Sequence, residues 1–203
     1  MHWSSYKNVR KFVDEYLAHD RDKPLSIADI GSMDVDLVGS YRTLFDAPNW
    51  RYIGVDLAPG ANVDMVLRDP YCWRELSGNS LDVVVSGQAL EHIEFFWLTF
   101  LEIHRVLKPG GLCCLVAPSA GPEHRYPVDC WRFYPDGFRA MAKYANLEVL
   151  DVFAQWDEAR HPEWDPVWND CVLIARKSCG RRRNIGVGLR RLLCRLGSPR
   201  RPN

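Results

Sequence analysis

Residues 81–118 read LDVVVSGQALEHIEFFWLTFLEIHRVLKPGGLCCLVAP, and this stretch says more about the architecture than any other part of the chain. It contains two continuous apolar runs, Leu81–Ser86 and Leu112–Ala117, which are typical of strands covered on both faces. Between them, large apolar residues recur at three- and four-residue steps, which predicts a helix over Ile93–Leu107. We expect Pro109-Gly110-Gly111 to end that helix. A strand, a helix and a strand in this order predict a parallel pair joined by a crossover.

The same alternation continues on both sides of this stretch. Upstream we predict three strands and one helix, and these are Leu25–Ile30, Asp36–Phe45 (the helix), Trp50–Asp56 and Val63–Leu67. Downstream we predict a helix from Pro135 to about Ala145 and two final strands, Leu147–Phe153 and Cys171–Ala175. Seven strands interleaved with helices predict an α/β, Rossmann-like sheet with helices on its faces.

The composition fits one globular domain. The chain has 203 residues, of which 47% are hydrophobic and 26% charged. Its seven cysteines form no C-x-x-C pair, so we expect neither a disulfide framework nor a zinc knuckle. The sequence shows no apolar run of membrane-spanning length and no apolar core of signal-peptide type near its start, which predicts a cytoplasmic protein.

Charge is distributed unevenly along the chain. Residues 178–203 hold eight arginines and no acid, which leaves 18 basic against 26 acidic residues in the rest. We therefore predict a domain over residues 1–177 and a basic tail over 178–203. Apolar residues among the arginines allow an amphipathic helix on the inner face of an anionic membrane. Contact with a partner protein and a solvated tail are the alternatives, and no specific nucleic acid is predicted.

Three motifs in and around the opening stretch carry a family resemblance. They are Asp82-Val83-Val84, Leu90-Glu91-His92 and Arg105–Gly111 (RVLKPGG). This combination resembles class I S-adenosylmethionine-dependent methyltransferases of the type 11, ubiquinone-biosynthesis-like, group. The resemblance covers residues 27 to about 155 and implies a seven-stranded methyltransferase sheet and S-adenosylmethionine as cofactor. The segments DIGSMDV, GVDLAPG and APSAGPEHRYPVDCWRFYPDG are similar to small methyltransferases found with surface-polysaccharide enzymes.

The cofactor site is expected at the carboxyl ends of the first strands, where parallel sheets form their ligand crevice. Asp29 and Gly31 occupy the acid and first glycine of a D-x-G-x-G-x-G loop, but Met33 and Val35 replace the later glycines. An ordinary strand-to-helix turn is the alternative. Asp56 ends the second strand, where an acid can accept hydrogen bonds from ribose hydroxyls. The predicted cofactor-binding residues are Asp29, Gly31, Ser32, Asp56, Leu57, Asp69 (with Asp64 as its rival), Ser86 and Gly87.

The long loop Pro118–Pro135 follows the fifth strand above this crevice, and long ordered loops are usually functional. His124 is the expected base for an acceptor hydroxyl, with Asp129 as its orienting carboxylate, and His92 is a further candidate. No third ligand is spaced to complete a metal site, so none is expected. The predicted substrate-binding residues are Tyr126, Trp131, Arg132 and Tyr134. A lid whose polar residues only satisfy its own backbone is the alternative.

The resemblance implies a methyltransferase, and together with the aromatic-rich loop it favours transfer of the methyl group to oxygen on a sugar or other small-molecule acceptor. Two alternatives stay open. An NAD-dependent oxidoreductase would share the acid at Asp56, although the chain lacks G-x-G-x-x-G. A non-catalytic binding subunit of the same fold would be consistent with the missing glycines in the first loop.

Overall fold

The computed structural model describes residues 3–35, 37, 39–156 and 167–197. Its strands, numbered along the chain, are β1 Leu25–Ile30, β2 Trp50–Asp56, β3 Met65–Val66, β4 Leu81–Gly87, β5 Leu107–Pro118, β6 Leu147–Ala154 and β7 Asp170–Lys177. Its α-helices are α1 Trp3–Tyr16, α2 Phe96–Val106, α3 Pro135–Tyr144 and α4 Arg181–Gly197. Three short 3-10 helices are Ala18–Asp20, Tyr41–Leu44 and Leu90–His92.

The seven strands form one sheet in the order β3-β2-β1-β4-β5-β7-β6. β1 to β5 pair in parallel, and β7 is antiparallel to both of its neighbours. The predicted fold class is confirmed. β1 lies between β2 and β4. The chain passes from β1 to β2 on one side and, after β3, crosses back to place β4 on the other side of β1. The crevice at the carboxyl ends of these three strands is therefore the expected ligand site.

Helices cover both faces of the sheet because its central strands are apolar on both sides. Along β5, Cys113 and Leu115 pack into the core beneath α2 and α3, whereas Cys114 and Val116 pack into the core beneath α1. All four side chains are fully buried. The two adjacent cysteines act as small apolar residues on opposite faces. All seven cysteines are free thiols.

The predicted helix over Asp36–Phe45 is wrong. Of the described residues in that range, only Tyr41–Leu44 is helical, as a single 3-10 turn. Leu37 and Gly39 have φ of 54° and 121°, in the left-handed region that a right-handed helix does not use. Residues 36 and 38 lie outside the described part of the chain. The apolar residues of this range recur at helical spacing, but that spacing does not reveal the left-handed backbone at Leu37 and Gly39.

The Pro109-Gly110-Gly111 turn was also predicted in the wrong role. α2 ends at Val106, and β5 begins at the next residue. The turn lies inside β5, where the pairing with β4 jumps from Leu81–Leu107 to Val83–Leu112. Gly110 has φ of 82°, which glycine adopts without strain. Pro109-Gly110-Gly111 therefore interrupts the regular pairing of β5 with β4.

Within the basic segment, residues 181–197 form a helix that packs against the body. Val187 of α4 is 2% exposed and belongs to the core beneath α2 and α3. Arg191 forms an ion pair with the buried Glu102 of α2, and Arg190 donates to the Tyr144 carbonyl oxygen at 2.6 Å. Within the described residues, no helix combines the length and apolar character needed to cross a membrane.

Candidate active site

The turn after β1 requires glycine at its first position. Gly31 has φ of 76°, and a Cβ placed there would lie 2.4 Å from the Cβ of Ala89. Both the backbone conformation and the close approach of the segment after β4 therefore rule out a side chain.

Backbone N–H groups of this turn are bonded within the protein. Gly31 and Ser32 both donate to the Val55 carbonyl oxygen, at 2.9 and 3.2 Å. Met33 donates to Oδ2 of Asp56 at 3.0 Å. None of the described residues 31–35 is helical, and Val55 and Asp56 of β2 accept these three bonds. An anionic group would need other donors.

Asp56 nevertheless keeps acceptor capacity at the tip of β2. Its Oδ1 accepts the Leu57 N–H at 2.6 Å, and its Oδ2 accepts Met33. A carboxylate offers about four acceptor positions, so about half of them stay open. The Met33 side chain lies over Gly60, because a Cβ there would come within 2.6 Å of the Met33 sulphur. Met33 thus packs on the chain between β2 and β3.

Asp29 is a buried acid at the carboxyl end of β1. Its Oδ2 accepts the Tyr52 hydroxyl at 2.5 Å, whereas its Oδ1 is buried without a hydrogen-bond partner among the described residues. Burial raises the pKa of Asp29 to about 7. The Tyr52 oxygen also accepts from Asn62 at 3.2 Å, which ties this acid to the segment after β2.

The remaining predicted cofactor residues have different environments. Asp69 is exposed, and its Oδ1 accepts the Tyr71 N–H at 2.8 Å. Its rival Asp64 is bound to Arg42 at 2.6 Å and to the Gly54 N–H at 2.7 Å. Asp69 therefore keeps more acceptor capacity than Asp64.

Ser86 and Gly87 lie deeper than expected for direct contact through a side chain. The Ser86 hydroxyl is fully buried and donates to the Ile30 carbonyl oxygen at 2.8 Å. A Cβ on Gly87 would lie 2.0 Å from the Tyr41 hydroxyl oxygen. Any contact of these two residues with a ligand would therefore be made by their backbone atoms.

Three titratable side chains meet beside this crevice and are called the histidine cluster: Glu91, His92 and His124. One potential ligand atom from each lies within 4.8 Å of the others. His92 Nε2 is 3.7 Å from Glu91 Oε1, and the two imidazole ring centroids are 4.8 Å apart. The fold thus brings two of the predicted catalytic residues, His92 and His124, together from segments after β4 and β5.

Glu91 is the functional candidate that sequence reasoning missed. From the sequence we named it only as part of a family motif and assigned it no role in the site, yet it is fully buried. Neither of its carboxyl oxygens has a hydrogen-bond partner among the described residues. Burial raises the pKa of Glu91 to about 8 and lowers the pKa of His92. Its place in the Leu90-Glu91-His92 motif was the one signal that could have identified it.

Asp129 lies behind His124, as predicted. Its Oδ2 is 3.3 Å from His124 Nδ1, close enough for charge attraction although not aligned as a hydrogen bond. The same carboxylate accepts two hydrogen bonds from Arg132, at 2.6 and 2.8 Å. The Arg132 hydrogen bonds hold the pKa of Asp129 well below its usual range. Arg132 is therefore occupied by Asp129 and supports the loop.

The predicted substrate-binding aromatic residues separate into two groups. Tyr126 is half-exposed and lies against both imidazoles, at centroid distances of 5.9 and 6.1 Å. Trp131 packs on Phe96 and donates to two carbonyl oxygens before α2. Tyr134 stacks on Trp156 at 6.1 Å. Trp168 was not among the predicted site residues, yet its ring lies 4.5 Å from that of His124.

A buried polar layer beneath α1 also escaped prediction. Asn8 donates to Gln155 at 3.1 Å and lies 3.4 Å from Asp170, while Gln88 donates to Asp170 at 2.8 Å. Its members come from four distant parts of the chain. No sequence pattern links them, so only the fold could reveal the layer.

This strand order, with a crevice between β1 and β4, defines the Rossmann-like methyltransferase fold. A family model described as a methyltransferase domain matches residues 29–115, from the end of β1 into β5. A protein of Mycobacterium avium (strain 104), described as an uncharacterized methyltransferase, is 30% identical over 123 residues. That match covers 53% of this chain and 47% of the relative, so the chain spans about half the length of the curated relative it matches.

Solved structures share the fold at low identity. The 1,6-didemethyltoxoflavin-N1-methyltransferase of Burkholderia thailandensis, solved with 1,6-didemethyltoxoflavin and S-adenosylhomocysteine, has a TM-score of 0.63 at 18% identity. The match covers 87% of this chain and 80% of that one. The [4+2]-cyclase SpnF has a TM-score of 0.59 at 16% identity, over 84% of this chain and 81% of that one. The fold alone therefore does not specify the reaction.

Proposed function

We propose that this chain is an S-adenosylmethionine-dependent methyltransferase that acts on an oxygen of a sugar or other small-molecule acceptor. The observation that carries the proposal is the methyltransferase-domain match over residues 29–115, the strands that form the crevice. The histidine cluster lies at the ends of β4 and β5 and supplies groups that can accept a proton. The NAD-dependent oxidoreductase and the non-catalytic subunit gain no support from the comparisons.

The residues at the crevice fit the cofactor. Asp56 keeps open acceptor positions for ribose hydroxyls, and Asp29 has a buried oxygen that no described residue hydrogen-bonds and that suits a cationic or donor group. Asp69 is exposed and can accept a hydrogen bond from an amino group. When bound, the cofactor supplies an electrophilic methyl group on a sulfonium sulphur.

The chain's own residues would position the acceptor and accept its proton. A hydroxyl held near His124 can transfer its proton to an imidazole nitrogen, and Asp129 stabilises the resulting charge from 3.3 Å. Tyr126 and Trp168 flank the imidazole and offer ring faces to a sugar or aromatic acceptor. Trp131, Tyr134 and Arg132 are assigned to supporting the loop, because their contacts are made within the protein. Positioning supplies much of the rate enhancement in such a transfer.

Contact between the basic tail and an anionic membrane or a partner protein belongs to the same proposal. Leu189, Leu192 and Leu193 of α4 are more than half exposed. An apolar stripe beside arginines suits either surface. A cytoplasmic location peripheral to the membrane would follow from the first.

Calorimetric titration of the whole chain with S-adenosylhomocysteine and, separately, with NAD tests the cofactor assignment. We expect saturable binding of S-adenosylhomocysteine with one site per chain and none of NAD. Binding of NAD alone would replace the methyltransferase by an oxidoreductase. No binding of either at hundreds of micromolar would leave only a binding subunit.

A further inference from the structure

Glu91 poses an energetic problem that the proposed function does not solve. Its side chain is fully buried and neither oxygen is hydrogen-bonded within the described part of the chain. Burying a carboxyl group without partners is costly, so native proteins rarely keep one without a use for it. Two imidazoles lie close to it, and Nε2 of His92 is 3.7 Å from its Oε1. A shared ligand would satisfy all three side chains at once.

The spacing of the three groups suits a metal ion. Potential ligand atoms of Glu91, His92 and His124 lie within 4.8 Å of one another. Two ligands on a tetrahedral zinc ion at about 2.0–2.2 Å are separated by roughly 3.4 Å. The 3.7 Å between Glu91 Oε1 and His92 Nε2 is close to that value. Small side-chain rotations would bring the third ligand in.

The groups behind the imidazoles are those that metal-binding histidines use. His92 Nδ1 lies 2.6 Å from the Val128 carbonyl oxygen, which orients the ring and leaves Nε2 with its lone pair toward Glu91. Asp129 is 3.3 Å from Nδ1 of His124. Metal-binding histidines commonly donate their second N–H to a carbonyl oxygen or a carboxylate. His92 therefore has an outer partner in place, and His124 has a carboxylate beside its Nδ1 that would become one on hydrogen-bond alignment.

We propose that Glu91, His92 and His124 bind a divalent transition-metal ion of the zinc and cobalt kind. Two imidazoles and one carboxylate form a ligand set that catalytic zinc sites use, whereas magnesium and calcium prefer oxygen ligands. The His92 and His124 side chains are 13% and 20% exposed, so a fourth coordination position on the ion would be within reach of a ligand from outside the protein. An acceptor oxygen fits that position. Metal binding stands on the geometry alone, and only its use in methyl transfer rests on the proposed function.

A metal ion at this site would overturn our expectation of no metal site and would change the role expected of His124. We expected no metal because no third ligand is spaced near His124 in its own loop; Glu91 and His92 come from the segment after β4. If an ion is held, His124 is a ligand, and the ion takes over the task of making the acceptor oxygen nucleophilic. If none is held, His124 stays the base.

The test titrates Co²⁺ into the whole chain, without a polyhistidine tag and after treatment with chelator, and follows visible absorption and then displacement by Zn²⁺. We expect one equivalent bound, with an absorption intensity typical of four-coordinate Co²⁺. Glu91→Gln, His92→Gln and His124→Gln should each weaken binding by at least about 100-fold, a loss larger than for the outer partners of a ligand. Glu94→Gln, which alters the exposed acid nearby, should bind as the wild-type chain does.

Denaturant unfolding of each variant shows whether it is folded, and Glu91→Gln keeps the size of the side chain. Binding weaker than millimolar in the wild-type chain, or equal binding by the three variants and the control, would overturn the metal site. S-adenosylhomocysteine titration of the same samples is an independent readout. A chain that binds the cofactor but no metal contradicts only this inference, and the reverse result contradicts only the proposed function.

Discussion

In the turn after β1, Gly31, Ser32 and Met33 donate their N–H groups to β2, whereas at the end of β4 the buried carboxyl of Glu91 has no hydrogen-bond partner among the described residues. The first region lost two glycines of the usual loop and satisfies its own backbone. The second spends stability on an unpaired acid next to two imidazoles. Buried polar groups are normally paired, so an unpaired one calls for an explanation such as a catalytic role or a bound ion. The contrast suggests that cofactor binding here relies on acids, and that the chemistry is concentrated in the histidine cluster.

The strongest test of this contrast changes the second region alone. His124→Gln should lower turnover by about 10²- to 10⁴-fold, the range for loss of a general base, and leave the affinity for S-adenosylhomocysteine unchanged. Steady-state methyl transfer and calorimetry measure the two effects. His19→Gln, at an exposed position, is the matched control. Full activity in His124→Gln would remove this residue from the chemistry.

One polar side chain of the first region is not fully hydrogen-bonded among the described residues. It is Asp29, and burial raises its pKa to about 7. Between pH 4 and 7 the folded chain keeps a proton there that the unfolded chain has lost, so the free energy of unfolding falls as pH rises. The slope is at most about 1.4 kcal/mol per pH unit. Urea unfolding of wild type and Asp29→Asn across this range measures it.

The variant should lack this component of the slope. Asp22→Asn, at an exposed acid, should keep it. Parallel curves of unfolding free energy against pH for Asp29→Asn and the wild-type chain would show that Asp29 ionises normally. The first region would then contain no acid whose ionisation is disfavoured by burial.

The smallest expected effect is at the tip of β2. Asp56→Ala should weaken S-adenosylhomocysteine binding by about 1–3 kcal/mol, the scale of losing charged hydrogen bonds, with metal binding unchanged. Calorimetry measures the loss, and Asp64→Asn, whose carboxylate is bound to Arg42 and Gly54, should bind the cofactor normally. Equal affinity in Asp56→Ala and the wild-type chain would remove Asp56 from the site.

The strands could be predicted from the sequence because burial on both faces demands continuous apolar runs. The bounds of β1 and β2 were predicted as the structure has them, whereas β3 is shorter than Val63–Leu67. The helix over Asp36–Phe45 was wrong because the left-handed backbone at Leu37 and Gly39 leaves no periodic trace. At Gly39, the N–H donates to the carboxylate of Asp34, a contact that apolar spacing does not report.

In the candidate site, too, some residues could be predicted from the sequence and others could not. Cofactor residues could be proposed because strand ends in parallel sheets have a predictable location. The roles of His124, Asp129 and the cofactor acids stay predictions, although the fold places them as expected. Glu91 could not be recognised as a site residue, because its significance comes from burial and from a histidine more than thirty positions later in the chain. Spacing within one loop cannot show a pairing made by the fold.

The docking of Val187 and Arg191 onto the body has a practical consequence for anyone who wishes to study the basic tail. Cutting the chain at residue 177 would uncover apolar surface and leave Glu102 with one arginine fewer. Loss of membrane attachment in such a shortened protein would then be hard to tell from partial unfolding. Replacing Leu189, Leu192 and Leu193 by glutamine changes the outward stripe and keeps the anchor.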